Sequence, residues 1–276
     1  MNRGRAAAGE PLFACSALTN GAARRQSPAR SRPGPAKGLV FVCDLVIVAA
    51  MAGRITSDAD LETALAALVG KDPRLAAAAK AIGPLPLRLH PPGLTGLLRI
   101  VNAQQLSTHS ANALWQRVTR DLAPLTADHI ASLSETRLRA AGLSRQKMRT
   151  FRAIAAAVAD GLDLALLAEA PPDVARARLE AIVGVGRWTA DLYLMFCAGH
   201  PDILPVGDLA VRRGAAEALG LDAPFQPDAL DAEGIRWAPY RSTATRLFYA
   251  TYAQRRALAR AVPPAELAAA AAAIPL

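Results

Sequence analysis

The sequence predicts an all-α protein. Alanine recurs in runs at positions 76–79, 155–157 and 268–273, and glycine and proline fall mainly between these runs. Stretches of alternating β-branched residues are scarce. Because alanine favours helices while glycine and proline interrupt them, the chain should consist of helices joined by turns. Its 276 residues, 52% of them hydrophobic, can bury a sizeable core.

The first 52 residues are expected to form a disordered extension, basic and then apolar, ahead of a folded domain at 53–276. Positions 1–38 mix proline, glycine, serine and arginine without periodicity. The apolar stretch GLVFVCDLVIVAAMAG that follows contains Asp44 and is shorter than the roughly 18 apolar residues of a membrane helix. It could be a weak signal-like segment, a strand, or translated sequence ahead of the true start. Met51, directly before a domain-like opening, favours the last.

Charge and cysteine content limit the classes of partner and site. The formal charge is +9, but residues 1–52 hold seven basic residues against two acidic ones, so more than half of the excess lies outside the folded part. Basic character alone is therefore a weak indication of nucleic-acid binding. Three scattered cysteines are too few for a disulfide framework, a cysteine-rich zinc site or a four-cysteine iron–sulfur cluster. We expect a monomer in the bacterial cytosol or nucleoid, with no membrane partner.

The order of helices follows from caps and breakers. Ser57 and Asp60 have the spacing of a capping box and open the first helix, and prolines between 84 and 92 end this region. Ser107 can cap the helix THSANALWQRVTRDL. The remaining helices are predicted at 94–105, 127–140, 145–160, 172–182, 187–198, 209–219, 227–235, 240–258 and 264–273.

A glycine turn in LEAIVGVGRWTADLYLMF predicts a helix–hairpin–helix. Gly184 and Gly186 permit backbone angles that other residues avoid, so one helix can end and the next begin at Arg187. The unpaired N–H groups of the new helix would face outward and could bind a phosphate oxygen. A tight corner between two packed helices is the alternative. Trp188 begins a core-facing stripe on the second helix, whereas Arg187 and Asp191 are expected to lie off that stripe.

Asp208 stands at the head of a later helix, in LPVGDLAVRRG. Pro205 and Gly207 indicate an extended loop before it. As a structural residue, Asp208 would be an N-cap. As a functional residue, its carboxylate would be favoured by the helix dipole and amide N–H groups, which suits a group that faces a developing cation.

Together these segments resemble the helix-hairpin-helix DNA glycosylase superfamily, within the branch of DNA-3-methyladenine glycosylase II, the AlkA-like enzymes. RIVNAQQLSTHSANALWQRV, LRAAGLSRQKMRTFRAIA and WAPYRSTATRLFYATY resemble further segments of that branch, in the same order, and the resemblance covers about residues 57–260. It implies two helical subdomains with the active site in the cleft between them. One subdomain would span about 94–200, with the hairpin at 182–187, and the other 53–93 plus 201–276.

The resemblance also implies site residues. Trp188 occupies the position at which relatives that cut the DNA backbone carry a nucleophilic lysine, and no lysine follows Lys147, which indicates a monofunctional enzyme that uses water. Core packing for Trp188 and Tyr249, and a plain surface position for Gln105, are the alternatives. Arg241 and Ser242 match the family too, with helix packing and buried hydrogen bonding as their expected roles. The implied site comprises Asp208 as the catalytic group, Trp188 and Tyr249 in the base pocket, Gln105, Gly184, Gly186, Arg187 and Thr189 at the DNA, and the carbonyls of Glu180, Ile182 and Val185 around a monovalent cation.

The implied activity is base excision. The enzyme would flip an alkylated base such as 3-methyladenine out of double-stranded DNA and remove it by hydrolysis, without a required cofactor beyond a structural Na⁺ or K⁺ at the hairpin. Gln105 would fill the gap left in the duplex. Two alternatives remain open: a glycosylase for other damaged or mismatched bases, and a non-catalytic hairpin module that binds DNA.

Overall fold

The computed structural model describes residues 53–259, which form twelve α-helices and three short 3₁₀ turns without any strand. The predicted extension at 1–52 and the predicted helix at 264–273 lie outside the described residues. No helix of the described part has the length and apolar character needed to cross a membrane. The helices are α1 Asp58–Lys71, α2 Ala76–Ile82, α3 Leu94–Ala103, α4 Thr108–Asp121, α5 Ala127–Ser132, α6 Glu135–Ala140, α7 Arg145–Ala159, α8 Pro172–Glu180, α9 Arg187–Phe196, α10 Leu209–Ala218, α11 Pro227–Gly234 and α12 Arg241–Ala259.

The predicted capping box at the start of α1 is confirmed. The Ser57 hydroxyl accepts from the Asp60 N–H at 3.1 Å, and the Asp60 carboxylate accepts from the Ser57 N–H at 2.9 Å. These hydrogen bonds satisfy donors that a helix leaves unpaired at its first turn. Accepting from Thr56 and Ser57 lowers the pKa of the Asp60 carboxyl below its usual range. Ser107 caps α4, as predicted, by accepting from the Ser110 N–H.

The helices pack in two groups. In one group α12 lies at the centre, with α1, α2 and α10 against it. In the other group α3 and α7 pack together, α4 and α9 contact α3, α5 and α6 contact α7, and α8 packs on α9. Trp237 and Phe248 lie in the core of the first group and Phe151 and Tyr193 in that of the second, all of them fully buried. The subdomain boundaries stay a prediction.

Polar contacts connect the loop after α9 to the start of α12. Arg241 binds both carboxylate oxygens of Asp202, at 2.7 and 2.8 Å. The Ser242 hydroxyl donates to the His200 carbonyl and accepts from the Ile203 N–H. These are the packing and hydrogen-bonding roles expected for Arg241 and Ser242. They fix the loop that carries Asp208 against the helix that carries Tyr249.

Two details of the predicted helices are wrong. The stretch 127–140 forms two helices, because Ser134 leaves the helical conformation and caps α6 by accepting from the Arg137 N–H. Asp191 was expected to lie off the core-facing stripe of α9, but its side chain is buried, with 1% exposed. It escapes the cost of an unpaired buried charge because Arg176, from α8, donates to it at 2.8 Å.

Candidate functional site

The hairpin between α8 and α9 depends on Gly184. Its φ of 88° lies in the left-handed region, where residues other than glycine are strained. A Cβ at this position would also come within 1.9 Å of the Thr150 hydroxyl oxygen, on α7. The N–H of Val185 donates to the carbonyl of Ile182 at 3.0 Å and closes the turn. Only glycine satisfies both the backbone angle and the close approach of α7.

Gly186 does not have the role predicted for it. Its φ of −96° and ψ of 175° are extended values that any residue adopts, so the expectation of an unusual backbone angle is wrong here. A Cβ at this position would meet no atom of residues 53–259 within 4 Å. Gly186 caps α9 without a side chain, so the first turn of α9 opens onto free space. A glycine that neither the turn nor the packing needs leaves room for another molecule to approach the backbone.

Asp208 receives four hydrogen bonds. Its Oδ1 accepts from the backbone N–H groups of Ala210 and Val211 at 2.8 and 3.3 Å, so it caps α10. Its Oδ2 accepts from the indole N–H of Trp188 at 2.8 Å and from the hydroxyl of Tyr249 at 2.9 Å. The carboxylate is half-buried. These four donors fix the orientation of the carboxylate at the N-terminus of α10.

Trp188 and Tyr249 therefore meet at the predicted catalytic acid. Trp188 is half-buried on the first turn of α9, and Tyr249 is buried on α12. Burial, followed by the negative charge of Asp208, raises the pKa of the Tyr249 hydroxyl well above its usual value, so the hydroxyl remains a donor. Phe196 packs beside Tyr249, with 6.3 Å between the ring centroids. Helix α9, the start of α10 and helix α12 thus bring together Trp188, Asp208 and Tyr249.

The turn after α3 is tied to the hairpin. The Gln104 amide donates to the Thr189 hydroxyl at 2.8 Å and to the Gly184 carbonyl at 3.3 Å. Lys147 donates from Nζ to the Gln104 carbonyl at 3.1 Å. The next residue, Gln105, is exposed and has a φ of 59°, in the left-handed region. A residue other than glycine in that region stores strain, which persists only where the surroundings hold it.

The remaining predicted positions lie on the hairpin. Arg187 is about half exposed, and its Nε lies 3.9 Å from Asp191, a weak ion pair that leaves the guanidinium accessible. Thr189 is buried, with its hydroxyl engaged by Gln104. The Ile182 carbonyl already accepts from the Val185 N–H. The cation site at the carbonyls of Glu180, Ile182 and Val185 stays a prediction.

The sequence analysis did not identify Gln104 or the pair of Asp191 with Arg176. A carboxylate inside the apolar run of α9 was the available signal for the buried pair, since such an acid needs a cation opposite it. Burial raises the pKa of Asp191 to about 6 despite the opposing effect of Arg176. For Gln104, the only feature of the sequence that pointed to a role at the hairpin was its neighbour Gln105.

Comparison with known proteins places this chain in a family. Residues 98–239, just over half of the chain, match the family model described as HhH-GPD superfamily base excision DNA repair protein. The chain belongs to the HhH-GPD superfamily. The matched range contains the hairpin, Asp208 and Trp188, and the resemblance inferred from the sequence motifs is confirmed.

Individual HhH-GPD relatives extend the comparison. A probable bifunctional transcriptional activator/DNA repair enzyme AlkA from Mycobacterium tuberculosis is 35% identical over 222 residues, which are 75% of this chain and 43% of that protein. A solved DNA-3-methyladenine glycosidase from Bacillus halodurans has 31% identity and a TM-score of 0.63, covering 68% of this chain and 88% of the other. The 3-methyladenine DNA glycosylase Mag1 from Schizosaccharomyces pombe, solved with abasic DNA, has 25% identity and a TM-score of 0.60. The match covers 68% of this chain and 96% of Mag1. The chain spans about half the length of the curated relatives it matches.

Proposed function

We propose that this HhH-GPD protein is a monofunctional DNA glycosylase of base excision repair. It removes alkylated bases such as 3-methyladenine from double-stranded DNA by hydrolysis, as a cytosolic monomer. The observation that carries the proposal is the Asp208 carboxylate, held by Trp188, Tyr249 and two backbone amides beside an open hairpin. The names of the relatives from Bacillus halodurans and Schizosaccharomyces pombe support the same class of substrate.

DNA is held chiefly by backbone groups in this proposal. The first-turn N–H groups of α9 bind a phosphate oxygen, and the open space at Gly186 lets the phosphate come close. Arg187, about half exposed, adds positive charge beside them. Gln105, exposed on the turn that Gln104 fastens to the hairpin, occupies the gap left by the flipped nucleotide. Phosphate contacts of this kind fix the position of the duplex without selecting its sequence.

Asp208 acts on the sugar of the flipped nucleotide. When the N-glycosidic bond breaks, its electron pair leaves with the base and the sugar carries an oxocarbenium-like charge. The carboxylate stabilises that charge and orients a water molecule, whose oxygen bonds to C1′ and whose proton is released to the carboxylate or to solvent. An N-alkylated purine already carries a positive charge, so it leaves without prior protonation. Aromatic faces near the base add attraction for such a cation.

The residues at the site favour hydrolysis over an amine-based lyase step. The Trp188 indole stands where a lysine would attack, and its N–H is committed to Asp208. Lys147 is buried, donating to the carbonyls of Asn102 and Gln104. An ammonium held by two carbonyls is a structural group rather than a free nucleophile.

Asp208→Asn tests the proposal. Asparagine keeps an oxygen to cap α10 but removes the negative charge that the reaction needs, so we expect the rate of base release to fall at least about a thousandfold. Thermal stability should fall only by the loss of the Trp188 and Tyr249 hydrogen bonds to Oδ2, about 1–3 kcal/mol, and affinity for a duplex with an abasic analogue should change little. Base release from methylated DNA is measured by chromatography under single-turnover conditions. Asp228→Asn, an exposed acid in the first turn of α11, serves as the matched control. Base release at the wild-type rate by Asp208→Asn would refute the assignment.

A further inference from the structure

The turn that carries Gln105 has the angles of a type II turn. The Leu106 N–H donates to the Ala103 carbonyl at 3.2 Å and closes the turn over Gln104 and Gln105. Gln104 has a φ of −52° and a ψ of 131°, and Gln105 has a φ of 59°. The third residue of a type II turn has a positive φ and is usually glycine or asparagine. Glutamine at this position costs conformational energy, which indicates that its side chain is needed there.

Lys147 determines which way the central peptide group of this turn faces. A type I turn differs from a type II turn by a reversal of the peptide group between its two central residues, which here carries the Gln104 carbonyl. Lys147 Nζ donates to that carbonyl at 3.1 Å and also to the carbonyl of Asn102, near the end of α3. Lys147 is buried on α7. Reversing the peptide group would remove an acceptor from a buried ammonium, so the contact favours the type II turn.

The Gln104 side chain fixes the same turn to the hairpin. Its amide nitrogen donates to the Thr189 hydroxyl at 2.8 Å and to the Gly184 carbonyl at 3.3 Å. The turn is therefore held from two sides, by α7 through the carbonyl of Gln104 and by the hairpin through its side chain. Contacts of this kind are the condition under which a strained backbone persists.

We propose that Lys147 is a positioning residue for base flipping, which sets the backbone of Gln105 before DNA binds. Because the turn is fixed to the hairpin, a phosphate bound at the first turn of α9 also places Gln105 relative to the duplex. The Gln105 side chain then fills the gap without a prior rearrangement of the turn, and order established before binding lowers the cost of the inserted state. This inference rests on the proposed glycosylase function and assigns control of Gln105 to a lysine that takes no part in the chemistry.

Lys147→Met tests the inference, because methionine keeps an unbranched side chain and removes the ammonium. The central peptide group is then free to reverse, and Gln105 can relax to a negative φ. We expect single-turnover release of 3-methyladenine from methylated DNA to slow about tenfold or more, since a hydrogen bond from a charged group is lost. Affinity for a duplex with an abasic analogue should be retained. Lys80→Met, an exposed lysine on α2, is the matched control and should leave release unchanged.

Fluorescence reports the position of Gln105 directly. A 2-aminopurine placed beside the abasic analogue changes its stacking when the gap is filled, and its signal is measured as the protein binds. Lys147→Met should lose most of the signal change that the wild type gives. Gln104→Leu keeps the lysine contact and removes only the side-chain bonds to the hairpin. It should show the same loss, and it serves as the test if Lys147→Met does not fold.

A double-mutant cycle separates positioning from general support of the fold. Because Lys147 acts through Gln105, adding Lys147→Met to Gln105→Ala should slow release little further, although each single variant slows it. The same cycle is run with Gln104→Leu, and melting temperatures identify the folded variants. Effects that multiply in the cycle, or an unchanged fluorescence signal in the folded variants, would overturn the positioning role.

The outcomes also separate this inference from the function on which it rests. Release at the wild-type rate by Gln105→Ala would overturn the inference together with the role of Gln105, and the assignment of Asp208 would stand. Wild-type protein that releases no 3-methyladenine would overturn the glycosylase proposal. The fluorescence cycle on the abasic duplex would then still decide the role of Lys147, because it requires binding and no chemistry.

Discussion

Among single residues, Asp208 combines the capping role that the structure shows with the chemical role that we propose for it. The sequence offered an N-cap and a catalytic carboxylate as alternatives. In the structure Oδ1 caps α10, while Oδ2 receives the indole of Trp188 and the hydroxyl of Tyr249. Capping fixes the orientation of the carboxylate, and a fixed orientation is what an electrostatic catalyst requires. The two interpretations are therefore compatible.

Tyr249→Phe tests the contribution of one donor to that orientation. The variant keeps the ring against Phe196 and removes the hydrogen bond to Oδ2. A hydrogen bond to a charged group contributes about 1.5–3 kcal/mol, so we expect base release to slow by roughly ten- to a hundredfold at unchanged DNA affinity. Single-turnover release and anisotropy of a labelled duplex provide the two measurements. Tyr252→Phe, on the same helix, is the control, and an equal loss there would contradict the assigned role.

At the scale of the element, the hairpin between α8 and α9 is defined by what surrounds it. Gly184 is required by its positive φ and by the hydroxyl of Thr150 on α7. Gly186 is required by neither, and the space beside it is open. Gln104 then fastens the turn after α3 to the same hairpin. One glycine builds the turn, and the other keeps the helix terminus accessible.

The two glycines should respond differently to alanine. Gly184→Ala combines a left-handed backbone with a clash against α7, and we expect it to lower the free energy of unfolding by about 2–3 kcal/mol. Gly186→Ala has no steric neighbour within the protein, so its stability should stay within about 0.5 kcal/mol of wild type. Its Cβ would stand where a phosphate approaches, and we expect duplex affinity to fall about tenfold. Urea unfolding and anisotropy measure these effects; normal DNA binding by Gly186→Ala would argue against the phosphate site.

At the scale of the whole molecule, contacts between distant segments position the site. Arg241 with Asp202 and Ser242 with His200 fix the loop before α10 against α12. Arg246 joins the segment 83–93 to the end of α9. Several groups at these junctions are ionisable and buried, so the stability of the assembly should depend on pH.

His90 gives a prediction for that dependence. Burial, with the positive charges of Arg99 and Arg88, lowers its pKa to about 4 in the folded state, against an unfolded value near 6.5. The unfolded chain therefore binds the proton first, and the stabilisation present above pH 6.5 is lost as the pH falls toward 4. Because the ring is only partly buried, we expect the wild type to lose about 1 kcal/mol more than His90→Gln between pH 7 and pH 5. Urea unfolding at both pH values measures the difference.

Comparing the wild type with His90→Gln separates the pH effect of His90 from the effects of two other titratable groups, which are buried. His200 has a lowered pKa, also through burial, and acts in the same direction. Asp191 has a raised pKa and acts in the opposite direction, since the cost of its buried charge disappears as it takes up a proton. Both are present in the wild type and in the variant. Identical pH profiles for the two proteins would show that His90 is not the source.

Most of the helices, the hairpin and the acid at the head of α10 were predictable from the sequence, because caps and breakers act within about four residues of the chain. The all-α fold followed from those local signals, and the family followed from the resemblance of several motifs in the same order. Two features could be seen only in the folded chain: residues 188, 208 and 249 share one hydrogen-bonded cluster, and Gln104 reaches Thr189. These contacts join segments far apart in the chain, so they depend on how the helices pack.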